Sequence, residues 1–182
     1  HRSVSRGLGD VYKRQIEMFE KGEYIIYGSN GVCEVQDYMN AAGEGDNRIY
    51  YVLAPMRSKG STIFSPVDNQ KVFMRKVMTK EEARELLRGI PEYEDMEIRD
   101  SRTQEQQYKE ILQSGNSTES LRLLKALYER KRKREAAGRR ITAVDEKYLF
   151  LAKDCLLNEL SIALDMDVED VDKILADKIR EE

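Results

Sequence analysis

The sequence predicts an α+β protein in two modules, a small antiparallel β-barrel followed by an all-α bundle. Three observations carry that expectation. Short β-branched and aromatic runs alternate with turn residues up to about residue 78. From Thr79 onward apolar residues recur at helical spacing behind capping signals. Charge, finally, is segregated in the helical half: nine Lys and Arg against two Glu lie between Arg122 and Arg140, and eight acids against three bases between Asp165 and Glu182. The formal net charge of −3 conceals this separation, which is what a nucleic-acid-facing surface needs.

The N-terminal elements follow from turn chemistry. Residues 24–27 (YIIY) and 32–35 (VCEV) flank Gly28-Ser29-Asn30-Gly31, and Asn-Gly tolerates the positive φ of a hairpin turn. A Gly- and acid-rich connection, Asn40 to Asn47, leads to a third strand at 49–54 (IYYVLA). Two more strands, 62–65 and 72–77, are joined across Pro66-Val67-Asp68-Asn69, where proline pre-sets φ and Asp or Asn bonds the turn backbone. Five short strands in so few residues suggest a strongly bent barrel. Lys71, Arg75 and Lys76 put charge near its last strand, whereas 49–53 is apolar enough either to be central or to accept a partner's strand. Its aromatics either fill the barrel and its rim or make a protein contact.

The helices are announced by their caps. Thr79 to Glu82 is a capping box, and the helix it opens carries Leu86 and Leu87 and stops at Gly89 before Pro91. An acidic connector over 91–100, with Tyr93 and Met96, precedes a polar helix from Thr103 to Gln113. Asn116 and Glu119 start a third helix with Leu121, Leu124 and Leu127 or Tyr128 on one face, and Gly138 ends it. Thr142 and Asp145 cap a fourth, lined by Leu149, Ala152, Leu156, Leu160 and Ala163 or Leu164, broadened by Tyr148 and Cys155. Asp167 and Asp170 begin a fifth, with Val168, Val171, Ile174 or Leu175, and Ile179 on its packing face. Such helices are marginal alone and bury one another in a bundle.

The basic run Arg130-Lys131-Arg132-Lys133-Arg134, resumed at Arg139-Arg140, exceeds what helix-dipole compensation requires. It reads as nucleic-acid backbone contact through residues such as Arg130, Lys133, Arg134, Arg139 and Arg140, with Arg102 as a neighbour. A plain solvated face, a localisation signal or another partner are the alternatives. The single histidine is His1, which removes Ser-His-Asp, Cys-His and histidine-metal arrangements, and no phosphate-binding glycine loop is present. Gly43-Glu44-Gly45 is an acidic turn unsuited to phosphate. No catalytic, cofactor or metal residues are expected, and the chain reads as non-enzymatic. Cys33 and Cys155, far apart and without a CxxC partner, read as buried free thiols of a reducing compartment. With no apolar run of membrane-spanning length and no secretory h-region, the expected location is the cytoplasm. Residues 1–15 (HRSVSRGLGDVYKRQ) lack periodicity and read as a non-native leader or a disordered arm. The expected organisation is therefore a leader over 1–15, the barrel over 16–78 and the helical part over 79–182.

Several stretches together resemble the CarD/CdnL family of bacterial RNA polymerase-binding transcription regulators, whose N-terminal module is similar to the polymerase-interacting domain of the transcription-repair coupling factor. They are FEKGEYIIYGSNGVCEV (19–35), IYYVL, TIFSPVDN, YKEILQSG (108–115), LYERKRKREAAGRRIT (127–142) and DEKYLFLAKDCLLNEL (145–160), in an order spanning about 19–178. The resemblance implies a Tudor- or SH3-like barrel on the lobe of the polymerase β subunit, held partly by sheet-edge pairing. It implies polymerase contacts around Tyr50, Tyr51, Ile63 and Phe64, with Phe64 standing where a family member has an arginine. It also implies promoter-DNA contact by the helical part through Lys109 and Lys147, and hence modulation of open-complex stability. Family members set a tryptophan near Arg102 to Gln104; the chain has no Trp, so its basic face would tether DNA rather than wedge it. The free protein is expected to be monomeric. A polymerase adaptor without direct DNA binding is the alternative, distinguished by a basic block neutralised by the acidic C-terminal helix.

Overall fold

The computed structural model describes residues 18–40 and 48–180. The expected leader, His1 and the turn Gly43-Glu44-Gly45 lie outside the described residues. Among the described residues five strands precede five helices. The strands are β1 (Tyr24–Tyr27), β2 (Val32–Asn40), β3 (Ile49–Pro55), β4 (Ile63–Pro66) and β5 (Met74–Lys76). The helices are α1 (Lys80–Arg88), α2 (Gln104–Gln113), α3 (Ser117–Ala136), α4 (Ala143–Leu164) and α5 (Val168–Arg180).

The Tudor/SH3-like barrel expected from the sequence is corrected by the sheet. Its order is β4-β3-β2-β1-β5, antiparallel throughout, and it stays open because β4 and β5 are its two edges and do not pair. Those edge strands have only four and three residues, and each pairs with one neighbour alone. The connection between them instead lays Val67 and Val72 against the sheet's apolar cluster of Ile25, Tyr27, Cys33, Val35, Tyr51 and Leu53. The apolar 49–53 run is therefore an interior strand, hydrogen-bonded on both sides. A bulge between Val35 and Asp37 bends β2, whose length exceeds the four residues expected.

The β1–β2 hairpin forms with Ile25 opposite Cys33, around a single 3₁₀ turn at Gly28–Asn30. Gly31 closes that turn at φ 71°, and a Cβ there would lie 2.9 Å from Cys155 Sγ on α4. Both the turn and the approach of sheet to helix thus require glycine.

The caps set the helical register. Glu82 N–H donates to Thr79 Oγ1 at 3.2 Å while Thr79 N–H donates to Glu82 Oε2 at 2.7 Å, closing the capping box of α1. Asn116 and Thr142 accept likewise from Glu119 N–H and Asp145 N–H, each at 3.1 Å. Gly138, at φ 69°, ends α3 with bonds from its own N–H to Glu135 O and from Arg139 N–H to Arg134 O. Leu121, Leu124, Leu127, Leu156, Leu160 and Leu175 are buried in the core these helices share.

Sheet and bundle are joined by buried polar contacts as well as packing. Arg75, which the sequence suggested as an edge charge, turns inward to Glu159 of α4, whose side chain is only 4% exposed. Both guanidinium Nη atoms reach that carboxylate, Nη2 at 2.9 Å, and Nη2 also donates to Ser117 Oγ at 2.6 Å. Ser117 Oγ and the Met78 N–H complete the carboxylate's shell at 2.9 and 3.0 Å. A second arginine, Arg57, donates to Asp154 Oδ2 at 2.7 Å and to Cys155 Sγ at 3.1 Å.

Candidate interaction surfaces

Strand alternation divides the sheet into a core face and an outer face. Tyr51 is 1% exposed, and its hydroxyl accepts a bond from Phe19 N–H at 3.2 Å; with Ile63 it belongs to the core face. Tyr50 and Phe64 lie on the other side. Phe64 is 57% exposed and sits opposite Val52; Tyr50 sits opposite both Met39 and Pro66. The four expected contact residues are thus split, two in the core and two on an apolar outer face that Met39, Val52 and Pro66 extend. That face runs onto β4, an edge strand among the described residues.

The expected DNA residues gather at one end of the bundle, but most are already engaged. Lys109 and Lys147 converge on Glu105 Oε1, at 3.7 and 3.4 Å. The Tyr148 hydroxyl donates to the same oxygen at 3.1 Å, and this bond, followed by the two lysines, holds the Glu105 carboxyl below the usual carboxylate range. Arg130 faces inward, with Nε 3.0 Å from Oδ2 of the fully buried Asp145 and Nη2 3.3 Å from Gln104 Oε1. The Tyr108 hydroxyl donates to Asp145 Oδ1 at 2.8 Å, so Arg130 closes a network linking α2, α3 and α4. Lys133 pairs with Glu129 at 3.3 Å, and Arg134 Nε donates to the Arg140 carbonyl at 2.7 Å. The side chains of Arg102, Arg139 and Arg140 are exposed and form no ion pair with another described residue.

The neutralising acids are not those of the C-terminal helix. Glu129 pairs with Arg132 and Lys133, and Glu135 with Lys131, all within α3. α5 contributes Asp172, which meets Lys153 of α4 at 2.8 Å. Sequence reasoning missed Val52, which alternation along β3 signals once Tyr51 is assigned to the core, and Met39, which the bulge after Val35 moves to the outer face. It also missed Arg57 and Asp154, which no local signal connects across 97 residues.

Cys33 is buried and Cys155 half-buried, both as free thiols; burial pushes Cys33 up to about 12 and raises Cys155 as well. No group of three or more metal-ligating side chains is assembled among the described residues, and none of their helices is long and apolar enough to cross a membrane.

No curated protein matches the chain. The family comparison covers the sheet: residues 19–78 match the CarD-like/TRCF RID domain. That stretch contains all five strands, the apolar outer face and Arg75. The N-terminal part of this chain is thus similar to the CarD-like/TRCF RID domain, a match consistent with a CarD/CdnL-type transcription regulator.

Proposed function

We propose that the chain is an interaction adaptor of the transcription machinery, docking on the β subunit of RNA polymerase through the outer face of β2–β4 and the β4 edge. The observation that carries this reading is Phe64, an aromatic more than half exposed on an edge strand inside the family-matched segment. An aromatic at the centre of such a contact is the residue type on which binding energy concentrates. The test is retention of the purified β subunit by immobilised chain carrying Phe64→Glu. Binding is expected to weaken about tenfold or more, with an unchanged far-UV spectrum. Undiminished retention rules this surface out. A polymerase contact also implies the cytoplasm.

A second reading, direct promoter-DNA contact that alters open-complex stability, is supported by the exposed Arg102, Arg139 and Arg140 beside the Lys109–Glu105–Lys147 cluster. Exposed ion pairs are weak, so phosphate could displace Glu105 from its lysines at little cost. This reading expects Arg139→Glu/Arg140→Glu to flatten the salt dependence of duplex binding, and Glu105→Gln to strengthen binding. An unchanged salt slope leaves the adaptor reading alone.

A further inference from the structure

The basic block of α3 is exposed to solvent and also borders a concave surface. From Lys125 to Glu135 it forms one wall of an open groove of about 1130 Å³ whose other wall is α5 and whose end is closed by the connector around Asp95. Both helices pack on α4 and stand apart from each other, which creates the groove. About half of its surface is apolar: Met96, Ile98, Tyr128 and Ile179 line it and at the same time pack against the helical core. Eight Lys and Arg line the groove against five Asp and Glu, although the chain as a whole is acidic. The excess lies on the α3 wall, which carries five bases and two glutamates, and is reduced by one because Arg130 is paired inward with Asp145; Asp172 and Asp177 balance Lys173 and Arg180 on α5.

We propose that this groove docks an acidic amphipathic helix from a partner protein. Apolar side chains at i, i+3 or i+4, and i+7 would cover the apolar lining, and carboxylates on one flank would meet Lys131, Arg132 and Lys133. Nucleic acid is the poorer complement, because a phosphate backbone gains nothing from a lining of Met, Ile and Tyr. The within-helix pairs of Lys131 with Glu135 and of Lys133 with Glu129 are exposed, and an incoming carboxylate can replace them. The α3 wall extends roughly 16 Å, enough for about three turns of a partner helix. This inference is independent of the polymerase contact assigned to the sheet.

The test begins with random peptides of about 14 residues, roughly four helical turns, displayed on phage and selected on the full chain. Fluorescence anisotropy then measures the affinity of the enriched sequences. The expected sequences are acidic with apolar residues at helical spacing, and they shift the methyl resonances of Met96, Ile98 and Ile179. Their affinity falls about tenfold both in Lys131→Glu/Lys133→Glu, which reverses charge on the α3 wall and breaks its pairs with Glu135 and Glu129, and in Ala176→Gln, which fills the groove without changing charge. A duplex of about 20 base pairs leaves them bound. The proposal is overturned if no peptide is enriched or the enriched set has no acidic bias. Displacement by the duplex also overturns it, making the groove a nucleic-acid surface. So does concentration-dependent self-association that the double charge reversal abolishes, which would assign the groove to a second copy of the chain.

Discussion

Replacing Arg75 with methionine tests whether the sheet and the helical bundle are held by the buried ion pair between them. The Glu159 carboxylate accepts four hydrogen bonds, two from Arg75, one from Ser117 Oγ and one from Met78 N–H. Arg75→Met leaves two of these and strands a carboxylate whose side chain is 4% exposed. Removing one partner of a buried pair costs about 3–5 kcal/mol, and the low end applies because a quarter of the arginine side chain still reaches water. At about 2–4 °C per kcal/mol for a chain of this size, the melting temperature should fall by roughly 6–12 °C. Arg75→Met/Glu159→Leu removes both charges and should lose less than the two single changes combined, by about 2 kcal/mol. Calorimetry and urea unfolding followed by far-UV circular dichroism measure both quantities. A fall under about 2 °C for Arg75→Met, or simple additivity in the double variant, refutes the role of the pair.

The division of the sheet into two faces predicts different outcomes for aromatics on the neighbouring strands β3 and β4. Tyr51→Ala should destabilise by about 3–5 kcal/mol, whereas Phe64→Ala should stay within about 0.5 kcal/mol in urea unfolding. Comparable losses for the two would mean that the faces are misassigned. The Cys33 thiol, raised to about 12 by burial, should resist iodoacetamide at about pH 8 in the native state and react once the chain is unfolded. A raised folded value means that the thiol's contribution to stability is complete below the unfolded value near 8.5 and is lost as pH rises toward 12. Urea midpoints at about pH 8 and pH 10.5 measure that decline, and rapid labelling of native Cys33 would contradict its burial.

Local chemistry was the legible part of this sequence. Thr79 with Glu82, Asn116 with Glu119, Thr142 with Asp145 and the terminating Gly138 all operate through backbone groups a few residues away, so spacing alone identifies them. The number of strands was legible for the same reason. Closure of the sheet was not, because it depends on whether β4 and β5 meet, and the path of Val67 and Val72 over the core decides that. The basic block was visible as composition, and Glu129 and Glu135, which pair with Lys131, Arg132 and Lys133, lie within one turn of them; Asp145, across a chain reversal from Arg130, has no such local signal. Tyr50 and Tyr51 are adjacent and chemically identical. Only their strand alternation sends one outward and the other into the core.

Arg75 and the Met78 N–H have a practical consequence for dividing the chain. The family match ends at residue 78, which invites a cut there. Yet Arg75, on the N-terminal side of that cut, supplies two of the four donors to Glu159, and Met78 supplies a third. A helical fragment beginning at Thr79 would inherit the acceptor and abandon most of its donors, while the complementary sheet fragment would expose an arginine shaped for a site it no longer meets. The strand that closes the first unit by sequence completes the second by solvation, and a separable helical piece has to carry residues 73–78 with it.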